Sequence, residues 1–174
     1  MIYLIAIKIV DVKAIHYNKI NITNIQITMS EDSNTTVDNK NNDSSILTWN
    51  SGGNLSANAN IKEFIKPGGI VSVNSEHSAQ QIFPFDGELT SLVVKLASNS
   101  NNNPAPGDDN VRTFTVRING EDSKLFVTIS NNKLVKSKNV NVAFKKFDLI
   151  SLAHVCDGTP SNAIGIASVS YVRN

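Results

Sequence analysis

Between residues 113 and 130 apolar and polar side chains alternate almost without a break: Thr-Phe-Thr-Val-Arg-Ile-Asn-Gly-Glu-Asp-Ser-Lys-Leu-Phe-Val-Thr-Ile-Ser. Side chains of an extended strand point to opposite faces in turn, so Phe114, Val116 and Ile118 share one face while Thr113, Thr115 and Arg117 share the other. Leu125, Val127 and Ile129 repeat the apolar face after Asn119-Gly120. Two period-two runs around an Asn-Gly step predict a β-hairpin, because both turn residues accept the positive φ that a tight turn requires.

Shorter apolar runs repeat the theme at 46–49, 61–65 (a strand or one helical turn), 70–73, 80–85, 89–97, 139–144, 148–155 and 163–172. Leu92, Val94 and Leu96 alternate with Ser91, Val93 and Lys95. No segment of 10–15 residues carries a 3.6-residue period. About eight short strands joined by turns predict an all-β antiparallel sandwich or barrel. Leu92, Phe114, Val116, Ile118, Val127 and Ile150 are its expected core. The last two strands are apolar on both faces, which places Ile164, Ile166, Val169 and Tyr171 near an expected subunit interface.

The first 28 residues differ from the rest, with nine isoleucines and no Gly, Pro or Ser. Their opening apolar run, interrupted by Lys8 and closed by Asp11, is too short to span a bilayer. It lacks the basic start and small-residue cleavage site of a signal peptide. It reads as a strand, as an anchor into a neighbouring subunit, or as sequence upstream of a natural start at Met29. Residues 30–45 are polar and read as a flexible arm. The expected organisation is therefore an N-terminal extension over 1–45 and one β-sandwich domain over 46–174.

Asparagine supplies 24 of the 174 residues. A+T-rich codons account for such an excess, but its clustering places turns, because Asn tolerates left-handed backbone and bonds its own main chain. Residues 98–111 read as a long exposed loop. The net charge is +1 and no basic face stands out, so no nucleic-acid partner is expected. Little self-repulsion favours a protein that assembles. The single Cys156 excludes an internal disulfide framework.

Three blocks carry a family resemblance: Phe85-Asp-Gly-Glu-Leu-Thr-Ser-Leu-Val-Val, the Val-Arg-Ile-Asn-Gly hairpin, and Val140-Asn-Val-Ala-Phe-Lys-Lys-Phe-Asp-Leu-Ile-Ser-Leu. Over about residues 83–172 the chain resembles the jelly-roll domains of virus capsids and fibres, phage tail tips and spore surfaces. These are similar in build to complement-type and tumour-necrosis-factor-type trimeric heads. The resemblance implies a single jelly-roll sandwich, a homotrimer, and display on a particle surface beside other capsid or coat proteins. No collagen-like Gly-X-Y stalk is present, which favours a virion over a spore surface.

His16, His77 and His154 stand far apart, with no His-x-His pair for a cupin metal. His154 and Cys156 share one strand face, two ligands where a soft metal needs about four. No Gly-x-Ser-x-Gly elbow occurs, and Cys156 leads into an Asp157-Gly158 turn. Asp108 and Asp109, with Asp86 and Asp157 at other turns, are the weak candidates for Ca²⁺, and no Asp-x-Asp-x-Asp-Gly frame supports them. Trp49 reads as a core anchor rather than a sugar platform. The glycosylation acceptors at Asn21, Asn34, Asn42 and Asn54 are expected by chance in a chain so rich in Asn, Ser and Thr. The expectation is a non-enzymatic structural protein with no cofactor, no metal and no membrane partner. The alternatives are a receptor- or glycan-binding head reading ligands through loops 98–111 and 157–162, or a bacterial spore-surface protein.

Overall fold

A computed structural model describes residues 44–68, 72–98 and 102–174, all within one unit of the chain. The readings of the first 43 residues, as arm, anchor or upstream sequence, lie outside the described residues. Ten strands follow in order: β1 (Ser44–Asn50), β2 (Glu63–Ile65), β3 (Ser72–Val73), β4 (Gln81–Ile82), β5 (Gly87–Ala97), β6 (Gly107–Ile118), β7 (Glu121–Asn131), β8 (Val135–Phe144), β9 (Leu149–Asp157) and β10 (Ile164–Arg173). The domain's first strand thus begins two residues ahead of the expected boundary. Helix is confined, among the described residues, to a single 3₁₀ turn at Glu76–Ser78.

The strands form two antiparallel sheets, β1-β10-β5-β8 and β3-β2-β9-β6-β7, with β4 pairing β9 beside β2. Setting the two-residue strands β3 and β4 aside, the remaining eight pair first with last and so on inward: β1 with β10, β2 with β9, β5 with β8, β6 with β7. Two further ladders, β10–β5 and β6–β9, bind the folded ribbon to itself. A double antiparallel ribbon wound this way is the jelly roll, an all-β sandwich built from two Greek keys.

The hairpin carries the chemistry its sequence announced. Asn119 and Gly120 take φ of 53° and 85°, and Ile118 faces Glu121 across the turn. The core between the sheets holds Trp49, Leu92, Val94, Phe114, Val116, Val127, Ile150 and Leu152, with Ile118 half-buried against it. Burying each such side chain contributes about 1.5–3 kcal/mol. Leu89 lies three residues from Leu92, yet both are fully buried. The ladders skip Thr90, and that bulge turns Leu89 back into the core.

Loop 98–111 is shorter than expected. β6 begins at Gly107, and Ala105 and Pro106 are already buried. The two-sided apolar character of β9 has an internal cause. Its inner face carries Ile150, Leu152 and His154, while Ala153 on the other face packs with Phe64 and Ala79 of the same chain. Of the four residues assigned to an interface on β10, Val169 and Tyr171 face the interior: Val169 belongs to the core and Tyr171 packs against it. The alternation along β10 sends only Ile164 and Ile166 to the outer face.

Candidate functional site

Polar chemistry inside the sandwich concentrates at one end. Arg112, on the inner face of β6, is fully buried together with His154 of β9. The β2–β9 register sets Glu63 opposite His154. One Arg112 terminal nitrogen, Nη1, contacts His154 Nε2 at 3.1 Å and donates to Ser56 O at 2.9 Å. The other, Nη2, donates to Ser161 O at 2.8 Å. His154 Nδ1 lies 3.1 Å from Glu63 Oε2, which also accepts the Ser56 N–H at 2.7 Å.

A guanidinium can only donate. His154 Nε2 is therefore the acceptor, and the ring proton sits on Nδ1, donated to Glu63. Burial holds the imidazole below its ordinary value; the Glu63 hydrogen bond pulls upward and the Arg112 charge pushes further down. Burial likewise lowers Arg112 and raises the neighbouring Cys156 thiol. The order Glu–His–Arg imitates a carboxylate–histidine–nucleophile relay. Here the ring's basic lone pair is consumed by a cation and the ring has no exposure to solvent. This cluster ties loops together: Arg112 holds 51–60 and 158–163, which also join through Leu55 N–H to Ala163 O at 2.8 Å.

The other end of the sandwich is closed by rings. Phe83, Phe85, Phe144 and Tyr171 pack with centroid separations of 4.7–6.4 Å. Arg173 lies over Phe85 at 4.3 Å. Just beyond, Phe147 is exposed and holds φ 75°, an unusual angle for so bulky a residue. Its N–H is fixed to Phe83 O at 2.6 Å, and Asp148 Oδ2 accepts the Lys145 N–H at 2.7 Å.

The residues singled out from sequence are mostly kept apart. Asp108 and Asp109 are exposed at the start of β6, and His77 is exposed on the 3₁₀ turn. Among the described residues no group of three or more His, Cys, Asp or Glu side chains is placed to hold a metal. His154 and Cys156 do share the inner face of β9, but their neighbour there is Arg112. Trp49 is buried in the core. Loops 98–111 and 157–162 meet through Asn110 Oδ1, which accepts the Thr159 N–H at 2.7 Å, and Ser161 N–H to Pro106 O at 3.2 Å. Sequence reasoning missed Arg112, whose only local signal was a cation in phase with Phe114 and Val116.

The outer face of the β1-β10-β5-β8 sheet offers a different kind of site. Ile46, Val93, Ile166 and Val135 are exposed there, Ile46 by 66%. They stand among Thr48, Ser168, Ser170 and Ser137, with Lys95 and Glu88 as charges. Fold and surface together define an all-β jelly-roll sandwich with an apolar core, one buried polar cluster and a weakly charged outer sheet face. No protein-family model and no curated protein matches the chain.

Proposed function

We propose that the chain is a non-enzymatic structural protein, a self-assembling jelly-roll building block of a particle surface such as a virion capsid or fibre, working as a homotrimer. The observation that supports this is the outer face of the β1-β10-β5-β8 sheet. Its apolar side chains lie between small hydroxyl residues, so a second copy can approach closely and remove Ile46, Val93 and Ile166 from water. A face four strands wide and about seven residues long covers roughly 500 Å². A stable interface takes about 800 Å² from each partner, so the seam extends past the sheet into neighbouring loops. The buried Glu63–His154–Arg112 cluster supports the non-enzymatic part, since its one basic nitrogen is already engaged.

Light scattering on chains beginning at Met1 and at Met29 tests the reading. A trimer mass is expected, with Ile46→Glu plus Ile166→Glu shifting it to monomer while the thermal midpoint of the monomeric fold persists. A monomer at every concentration from both chains would sink the proposal.

A further inference from the structure

Although no basic face stands out in the charge total, one ribbon of the chain is basic. Residues 123–147 hold six lysines (124, 133, 136, 138, 145 and 146) and no acid, where the whole chain nets only +1. This stretch runs from the third residue of β7, after Glu121 and Asp122, through the turn and β8 to the turn that follows Phe144. β7 is the edge of one sheet and β8 the edge of the other, so the basic ribbon runs along the open seam of the sandwich. Net charge hid it, because acids elsewhere balance the count.

At the turn end of the seam is an open groove of about 440 Å³, lined by Phe126, Thr128 and Ser130 from β7 and by Lys136, Ser137 and Lys138 from β8. That volume is in the range of small-ligand sites. Lys138 Nζ stands 3.9 Å from the Phe126 ring centroid, and that ring remains 42% exposed. Lys136 and Lys138 form no ion pair among the described residues. Two residues apart on one strand, they share a face about 7 Å apart at the backbone. One ammonium is thus held by an aromatic ring, a second stands on the same strand face, and Thr128 and Ser130 line the β7 side.

We propose that this groove binds an acidic saccharide, with its carboxylate or sulfate between Lys136 and Lys138 and its hydroxyls on Ser130 and Thr128. A planar aromatic edge beside hydroxyl and ammonium donors suits a ring carrying many hydroxyls and one negative group. Single-stranded nucleic acid fits less well, because it calls for successive stacking platforms. Phe126 is the one aromatic lining the groove, and its face already carries Lys138. The proposal does not depend on assembly, since Lys136 and Lys138 alternate away from the outer sheet face that carries Val135 and Ser137.

The test is calorimetric titration of the full chain with a sulfated heparin-type tetrasaccharide and with sialyllactose, against neutral lactose and an oligothymidylate. Saturable binding of one acidic sugar is expected, weakened on the order of tenfold by Lys136→Gln plus Lys138→Gln. The pair Lys145→Gln plus Lys146→Gln, at the far end of β8, should leave it unchanged. Preference for the sulfated sugar or the sialylated one separates sulfate from carboxylate recognition. Equal binding of lactose, tighter binding of the oligothymidylate, or no binding at all would overturn the proposal and leave the lysines as guards of an exposed sheet edge. The oligomeric mass of the lysine variants, unchanged if only the groove is affected, keeps this result separate from the trimer's fate.

Discussion

The two ends of the sandwich are closed by opposite means. At one, Arg112 reaches through the core to the carbonyls of Ser56 and Ser161 and to His154, with Glu63 behind it. At the other, Phe83 packs edge-on against Phe144 and Tyr171, and Phe85 stacks on Tyr171. Rings stabilise by area and tolerate small shifts. A buried ion network is directional and punishes the loss of a partner more than it rewards its presence. The charged end should therefore be the specific and pH-sensitive one, while the aromatic end holds by contact alone.

The largest effect should come from Arg112→Ala, which removes the cation beside Glu63 and strips two carbonyls of their donors. A loss of about 3–5 kcal/mol in urea unfolding is expected; a loss below about 1 kcal/mol would mean that this end closes without its pin. Next comes the aromatic end. A Cβ on Gly87 would meet the Val172 carbonyl and lie 2.6 Å from Phe144 Cζ, so Gly87→Ala should cost about 1–3 kcal/mol. If it is neutral, the rings are looser than their packing implies.

The third experiment separates the ends by pH. The folded ring of His154 resists the proton that the unfolded chain accepts near pH 6.5. Its contribution is complete above that value and falls as pH drops below it, by up to about 1.4 kcal/mol per pH unit. His154→Gln, whose amide can donate to Glu63 and accept from Arg112, should flatten that part of the acid limb. Smallest of all, Phe144→Leu should cost on the order of 1 kcal/mol by the same amount at pH 7 and pH 5. A pH-dependent cost there would erase the contrast.

What could be seen from sequence follows the range of the interactions. Hairpin β6–β7 was legible because its alternation and its Asn-Gly turn are local. Leu92, Phe114, Val116, Val127 and Ile150 were legible as core for the same reason. The Arg112 network was not, because its partners lie 42 to 56 residues away, and Glu63 and His154 are separated by 91. Val169 and Tyr171 were assigned to a subunit surface because both faces of β10 look apolar. The pairing that puts β10 between β1 and β5, with rings beneath Tyr171, is a long-range fact. The basic ribbon is the opposite case: it is plain in the order of residues and vanishes only when charges are totalled.

Because Ser44 lies directly across from Val172, the start of β1 and the end of β10 are neighbours. A short spacer could join them, and the circle could be recut at the exposed Asn132-Lys133 turn with every ladder kept. The same adjacency means that a passenger grafted after Asn174 would depart beside the start of β1.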